Sequence, residues 1–168
     1  VAAFLAHGEK RAANPGESTQ ADALIAGSFD PPRQAPDFVL PASDGSQVTL
    51  ARYRGKVVLL TFGFTYCAAV CPTTMSTLAQ ARSQLGEAAN DVQVIFVTVD
   101  PARDDAESLR TYLGAFDPTF IGATGEAAAL AKVRGKYGVT AVKQGTGSDY
   151  AMSHTSSIFI IDREGKLQ

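Results

Sequence analysis

The chain has little of what several common functions need. Its 168 residues include two cysteines, two histidines and two methionines. Lys and Arg number 15 against 17 Asp and Glu, and no basic run exceeds Lys10-Arg11. Neutralising nucleic-acid phosphates or an anionic bilayer takes more than that, which excludes nucleic-acid binding and polybasic membrane targeting. Gly55-Lys56, Gly135-Lys136 and Gly165-Lys166 precede Val, Tyr and Leu, where a phosphate-binding loop needs Ser or Thr. HExxH, EF-hand and C-x-x-C patterns are missing. The first apolar stretch, Val1 to Ala6, is too short for a membrane span or a signal-peptide core. Cys67 and Cys71 lie too close together to staple distant segments, so a disulfide scaffold is excluded.

What is present has the composition of one globular domain: 45% hydrophobic, 19% charged and a formal net charge of −2. Residues 1–34, rich in Ala, Gly and Ser, read as a mobile tether with a short helical turn at Ala21 to Ala26; residues 35–168 read as the domain. Pro36 to Leu40 and Gln47 to Leu50, joined by Ser43-Asp44-Gly45, predict a hairpin. Lys56 to Phe64 and Val92 to Val99 predict parallel strands buried on both faces. Between them Met75, Leu78, Ala79, Ala81 and Leu85 recur at helical spacing from Cys71 to about Ala88. Asp104-Asp105-Ala106-Glu107 supplies an N-cap and an acidic first turn for a helix to about Phe116, and Glu126 to Tyr137 reads as a third helix. Lys143 to Ser153, with Gly145, Gly147 and Ser148, reads as a mobile loop. Thr155 to Ile161 and Lys166 to Leu167 read as a terminal hairpin. The order predicts an α/β/α sandwich around a mixed sheet.

The chemistry concentrates where the first buried strand meets its helix, Phe64-Thr65-Tyr66-Cys67-Ala68-Ala69-Val70-Cys71-Pro72. Open α/β sheets gather ligands at the carboxyl ends of their strands, and a helix N-terminus favours thiolate over thiol. In helical geometry Cys67 and Cys71 project from one face about 6 Å apart along the axis. That separation permits a disulfide or two sulfurs on one metal ion. A disulfide closing so small a loop adds little stability, so an inert structural pair is the weakest reading.

An ordinary thioredoxin site has two residues between its cysteines and a cis-proline turn opposite them. Here the prolines stand at 15, 31, 32, 36, 41, 72, 101 and 118, and the segment before Thr155 carries His154 instead. In such a layout that turn faces the cysteine loop. Two thiolates and one imidazole are an incomplete set for structural zinc but suit copper, as Cu(I) or Cu(II). His7 lies too far off in the tether to complete a set. Met75 and Met152 read as packing residues rather than ligands.

These residues resemble the Sco/SenC family of copper-binding, thioredoxin-like assembly factors for the binuclear copper centre of cytochrome c oxidase. The resemblance spans about Pro36 to Leu167. It is carried by Gly55 to Leu60, Phe62 to Cys67, Val70 to Thr74, Thr98 to Asp104, Phe120 to Gly122, Ser153 to Thr155 and Asp162 to Lys166. It implies a thioredoxin-like fold of the peroxiredoxin-like variant, with Cys67, Cys71 and His154 as metal ligands and copper as the metal. The implied function is a monomeric metallochaperone rather than an enzyme. Its partners would be a copper-receiving oxidase subunit and other copper chaperones or thiol-disulfide proteins. The implied compartment is the periplasm or another extracytoplasmic space, the mitochondrial inner membrane in a eukaryote, with membrane attachment only through an N-terminal anchor no longer present. Where the family usually has Pro-Asp after the first cysteine this chain has Ala68-Ala69, and Tyr66 stands where a histidine is frequent. The alternative function is a thiol-disulfide oxidoreductase using Cys67 and Cys71 as its redox pair. A peroxiredoxin-like peroxidase is weaker, because one low-pKa cysteine would suffice and Cys71 would be unexplained.

Overall fold

A computed structural model describes residues 27–168. His7 and the turn expected at Ala21 to Ala26 lie outside the described residues, as does most of the expected tether. Two near-continuous apolar runs form the centre of a sheet: β4 (Val57–Gly63) pairs in parallel with β5 (Val92–Thr98). Around them the six-stranded order is β1 (Arg33–Gln34), β10 (Lys166–Leu167), β9 (Ile158–Ile161), β4, β5 and β6 (Ile121–Ala123). β6 is parallel to β5, while β9 runs antiparallel to β4, β10 to β9 and β1 to β10. This mixed sheet, with α1 (Val70–Gln84) and α2 (Ala106–Gly114) on one face and α3 (Ala127–Tyr137) on the other, is a thioredoxin-like α/β/α sandwich.

Strand alternation divides the core. Val94 and Phe96 pack with Met75, Leu78, Leu109 and Leu113 under α1 and α2. Leu60, Phe62, Ile95 and Val97 pack with Leu130, Val133 and Tyr137 under α3. Each fully buried Leu, Ile or Phe among them contributes about 1.5–3 kcal/mol of transfer free energy. Among the described residues no helix is long and apolar enough to cross a membrane.

Several elements differ from expectation. Arg33 and Gln34, placed at the end of the tether, form the sheet's edge strand against β10. The early hairpin shrinks to β2 (Leu40–Pro41) and β3 (Gln47–Val48), a ladder of its own. Proline has no N–H to donate, and Asp37 Oδ1 takes the N–H of Leu50 at 2.9 Å in place of a ladder bond. β6 was not expected: it is three residues long, and its Gly122 lets α2 approach so closely that an added Cβ would lie 2.8 Å from Leu109 Cβ. The stretch expected as a mobile loop is a hairpin, β7 (Ala141–Gln144) with β8 (Ala151–His154), and the following strand begins at Ile158 rather than Thr155.

Candidate metal centre

The first helical turn of α1 has no side-chain oxygen as a cap. Its free N–H groups face sulfur instead: Cys71 N–H donates to Cys67 Sγ at 3.5 Å. Cys67 therefore lies outside the helix, on the turn that precedes it, and the stacked helical pair expected from the spacing does not form. Cys71, in the first turn, is buried at 4% exposure, and Cys67 is half-buried. Gly63 makes room for the buried thiol, since a Cβ there would lie 2.8 Å from Cys71 Sγ and equally close to the Phe96 ring.

His154 arrives from the last position of β8. Its Nε2 lies 3.6 Å from Cys71 Sγ, and its ring meets Phe64 edge to face at 5.7 Å between centroids. Its Nδ1 lies 3.0 Å from the Thr155 carbonyl oxygen, which can only accept, so the proton belongs on Nδ1 and the Nε2 lone pair faces the sulfurs. The three ligand atoms all lie within 4.8 Å of one another. Bonds of about 2.0–2.3 Å from a metal to imidazole and thiolate require donors no farther apart than about 4.6 Å. The Cys71–His154 pair already meets that limit, and a shift of a few tenths of an ångström brings in the widest. Two soft sulfurs and one imidazole suit copper.

The two thiols are shifted in opposite directions. Partial burial raises Cys67, but hydrogen bonds from the Cys71 N–H and thiol, and from the Ala69 and Val70 N–H groups, outweigh it and bring the thiol below its ordinary value. Burial pushes Cys71 up to about 12, with Cys67 and the nearby Asp104 carboxylate adding to the shift. Both cysteines are free.

The sequence reading brought Cys67, Cys71 and His154 forward, and the fold brings them together. The role of Asp104 was not read from the sequence, where Asp104-Asp105-Ala106-Glu107 together supplied the cap and first turn of α2. Asp105 is that cap, accepting from Ser108 N–H at 2.8 Å. Asp104 is fully buried and accepts from Thr65 N–H at 3.0 Å, Thr65 Oγ1 at 2.5 Å and Thr98 Oγ1 at 2.7 Å, fixing the start of the cysteine loop to the end of β5. Two adjacent aspartates at a strand-to-helix junction, one more than a cap needs, were the available signal. Met75 is fully buried against Cys71, and Met152 packs on the opposite core layer.

The SCO1/SenC family model matches residues 27–168. The human mitochondrial protein described as SCO2 homolog is 35% identical over 133 residues, 77% of this chain and 50% of that protein. This chain thus spans half the length of that relative. A structure of Bradyrhizobium japonicum ScoI with copper bound superposes with a TM-score of 0.76 at 38% identity, covering 80% of this chain and 87% of the other. Solution structures of apo Sco1 from Thermus thermophilus give a TM-score of 0.76 at 40% identity, covering 84% and 82%. A match over all the described residues, with the cysteine loop and the histidine hairpin inside it, places this chain in the SCO1/SenC family.

Proposed function

We propose that this chain is an extracytoplasmic copper metallochaperone. It holds one copper ion at Cys67, Cys71 and His154 and delivers it to the binuclear copper centre of cytochrome c oxidase during assembly. It acts as a monomer at a membrane surface, with the residues ahead of Arg33 as its tether. The observation that carries this reading is the convergence of three donor atoms within 4.8 Å from the cysteine loop, the first turn of α1 and the end of β8. A copper-bound relative of the same fold supports it. Copper titration of the reduced protein tests it, with Cys67→Ala, Cys71→Ala and His154→Ala alongside. Each substitution is expected to weaken binding, and undiminished binding in any two of them would overturn the assignment. Delivery is tested by mixing the loaded protein with the copper-free soluble domain of an oxidase subunit and following the metal's spectrum.

One observation favours a second reading, thiol-disulfide exchange. A lowered Cys67 beside a raised Cys71 is the division of labour of an attacking and a resolving cysteine. The Cys67 thiolate would attack a target disulfide. Cys71 would then displace the target's second thiol, leaving Cys67–Cys71 oxidised and the target reduced by two electrons. His154→Ala separates the readings, because copper transfer needs the imidazole and disulfide exchange does not.

A further inference from the structure

The β7–β8 hairpin that delivers His154 shares no ladder with the six-stranded sheet. Among the described residues, three hydrogen bonds join it to segments beyond its own flanking residues. One is the Cys71–His154 contact itself. The other two meet at Tyr150: Arg103 Nη1 donates to its carbonyl at 3.1 Å, and its hydroxyl donates to Asp100 Oδ1 at 2.5 Å. Arg103 Nε closes the ring by donating to the other oxygen of Asp100 at 2.5 Å.

The Arg103 guanidinium also stacks on both ligand-bearing segments. It lies 3.8 Å from the centre of the Tyr150 ring, on the hairpin, and 4.8 Å from that of Tyr66, the neighbour of Cys67. The ring of Phe64, which meets His154 edge-on, is 5.9 Å away. Nη2 is buried without a hydrogen-bond partner, so aromatic faces rather than a full fork of acceptors hold this end of the side chain. A planar, delocalised cation can stack and donate at once, which the point charge of a lysine cannot.

We propose that Arg103 is a positioning residue for the metal centre: gripped between Tyr66 and Tyr150 and anchored on Asp100, it sets the spacing between the hairpin that carries His154 and the loop that carries Cys67. The inference rests on the copper reading above. Partners that orient a ligand typically contribute about 10–100-fold to metal affinity, and Arg103 contributes through His154 alone.

The test is a cycle of copper affinities, by competition with a chelator, for wild type, Arg103→Ala, His154→Ala and the double variant. Arg103→Ala is expected to weaken binding about 10–100-fold in the wild-type background and to add nothing once His154 is alanine. Amide exchange in copper-free Arg103→Ala is expected to quicken at 141–154 while β4 and β5 stay protected. An equal loss in both backgrounds overturns the proposal, because Arg103 would then act through the cysteines or the fold; so does no loss. Should Arg103→Ala fail to fold, Tyr150→Phe removes one hydroxyl bond of the same latch, and the same cycle decides with a smaller expected loss. Wild-type affinity in His154→Ala strikes the copper reading, whereas a weakened His154→Ala beside an unaffected Arg103→Ala strikes the latch alone.

Discussion

Cys71 is set among Met75, Phe96 and Leu109 beneath α1 and α2, whereas His154 hangs from a hairpin with which the main sheet makes no ladder. The cysteine side is bound into the body at every level. Gly63 yields space to the thiol, the first turn of α1 points its N–H groups at Cys67, and the buried Asp104 ties Thr65 to Thr98. The histidine side rests on one aromatic edge, a few bonds gathered at Tyr150 and the partly buried Ala141 and Met152 against the rim of one core layer. Opening it would uncover only the rim of one core layer, where Ala141 and Met152 pack. For the copper carrier proposed above this asymmetry would be useful, because two sulfurs could keep their place while one imidazole withdraws to release the metal.

The comparison breaks first, and most visibly, at Asp104. Three donors face its fully buried carboxylate, two from the half-buried Thr65 and one from the buried Thr98, and each one left without a partner costs about 1–3 kcal/mol. Asp104→Ala is therefore expected to lower unfolding free energy by about 3 kcal/mol or more, measured by urea denaturation of the copper-free protein. His154→Ala, at a half-buried position, is expected to lose less than about 1 kcal/mol. Similar losses in the two variants would mean that the hairpin is as firmly held as the cysteine loop.

The same contrast governed what could be read from the sequence. β4 and β5 announce themselves as unbroken apolar runs, and the cysteine pair was legible because a strand, a helix start and two thiols follow one another within ten residues of chain. β1 was not legible: Arg33 and Gln34 are exposed, and only pairing with β10, more than 130 residues away, makes them a strand. β6 fell short because three residues with a central glycine carry almost no periodic signal. The β7–β8 hairpin exposes three of the four residues of β7, Val142 among them, so its alternation does not stand out from a polar loop. Its clamp, Arg103 on Tyr66 and Tyr150, joins three separate stretches of chain. His154 was placed only through a proline that was missing, and the role of Asp104 was not legible because its bonds to Thr65 and Thr98 are a tertiary fact.

A smaller effect sharpens the account of the buried thiol. Burial holds Cys71 protonated up to about 12, against an ordinary thiol at 9.0 in the unfolded chain. Between those values the native state binds a proton that the unfolded state has lost, so stability is complete below about pH 9 and declines as pH rises towards 12. At about 1.4 kcal/mol per pKa unit the decline reaches about 1 kcal/mol near pH 10. Cys67 runs the other way. Its lowered thiol adds stability above the ordinary thiol range, and that contribution is lost as pH falls through its folded value. Urea unfolding of reduced wild type and Cys71→Ser from about pH 8 to about pH 10 isolates the Cys71 part, since the buried tyrosines are common to both chains. Wild type is expected to lose stability relative to the serine variant. Parallel profiles would show that Cys71 is not sealed in the core.

The finest test lies at Met75, whose thioether is soft enough to bind copper and whose side chain is fully buried one turn beyond Cys71. It lines the same cavity of about 270 Å³ as Cys71 and His154. If it bound the metal, the core would supply three soft ligands and the hairpin's imidazole would not decide whether copper stays. Packing argues otherwise. Met75 sits with Leu78, Val94, Phe96 and Leu113 in one apolar layer, where an unbranched side chain fills space between a helix and a sheet. Leucine has nearly the same volume, so Met75→Leu is expected to cost about 1 kcal/mol or less and to leave the copper stoichiometry and the visible spectrum of the Cu(II) form unchanged. A moved absorption band would place the thioether on the metal, because a swap of one apolar side chain for another alters a ligand field only when sulfur is bound.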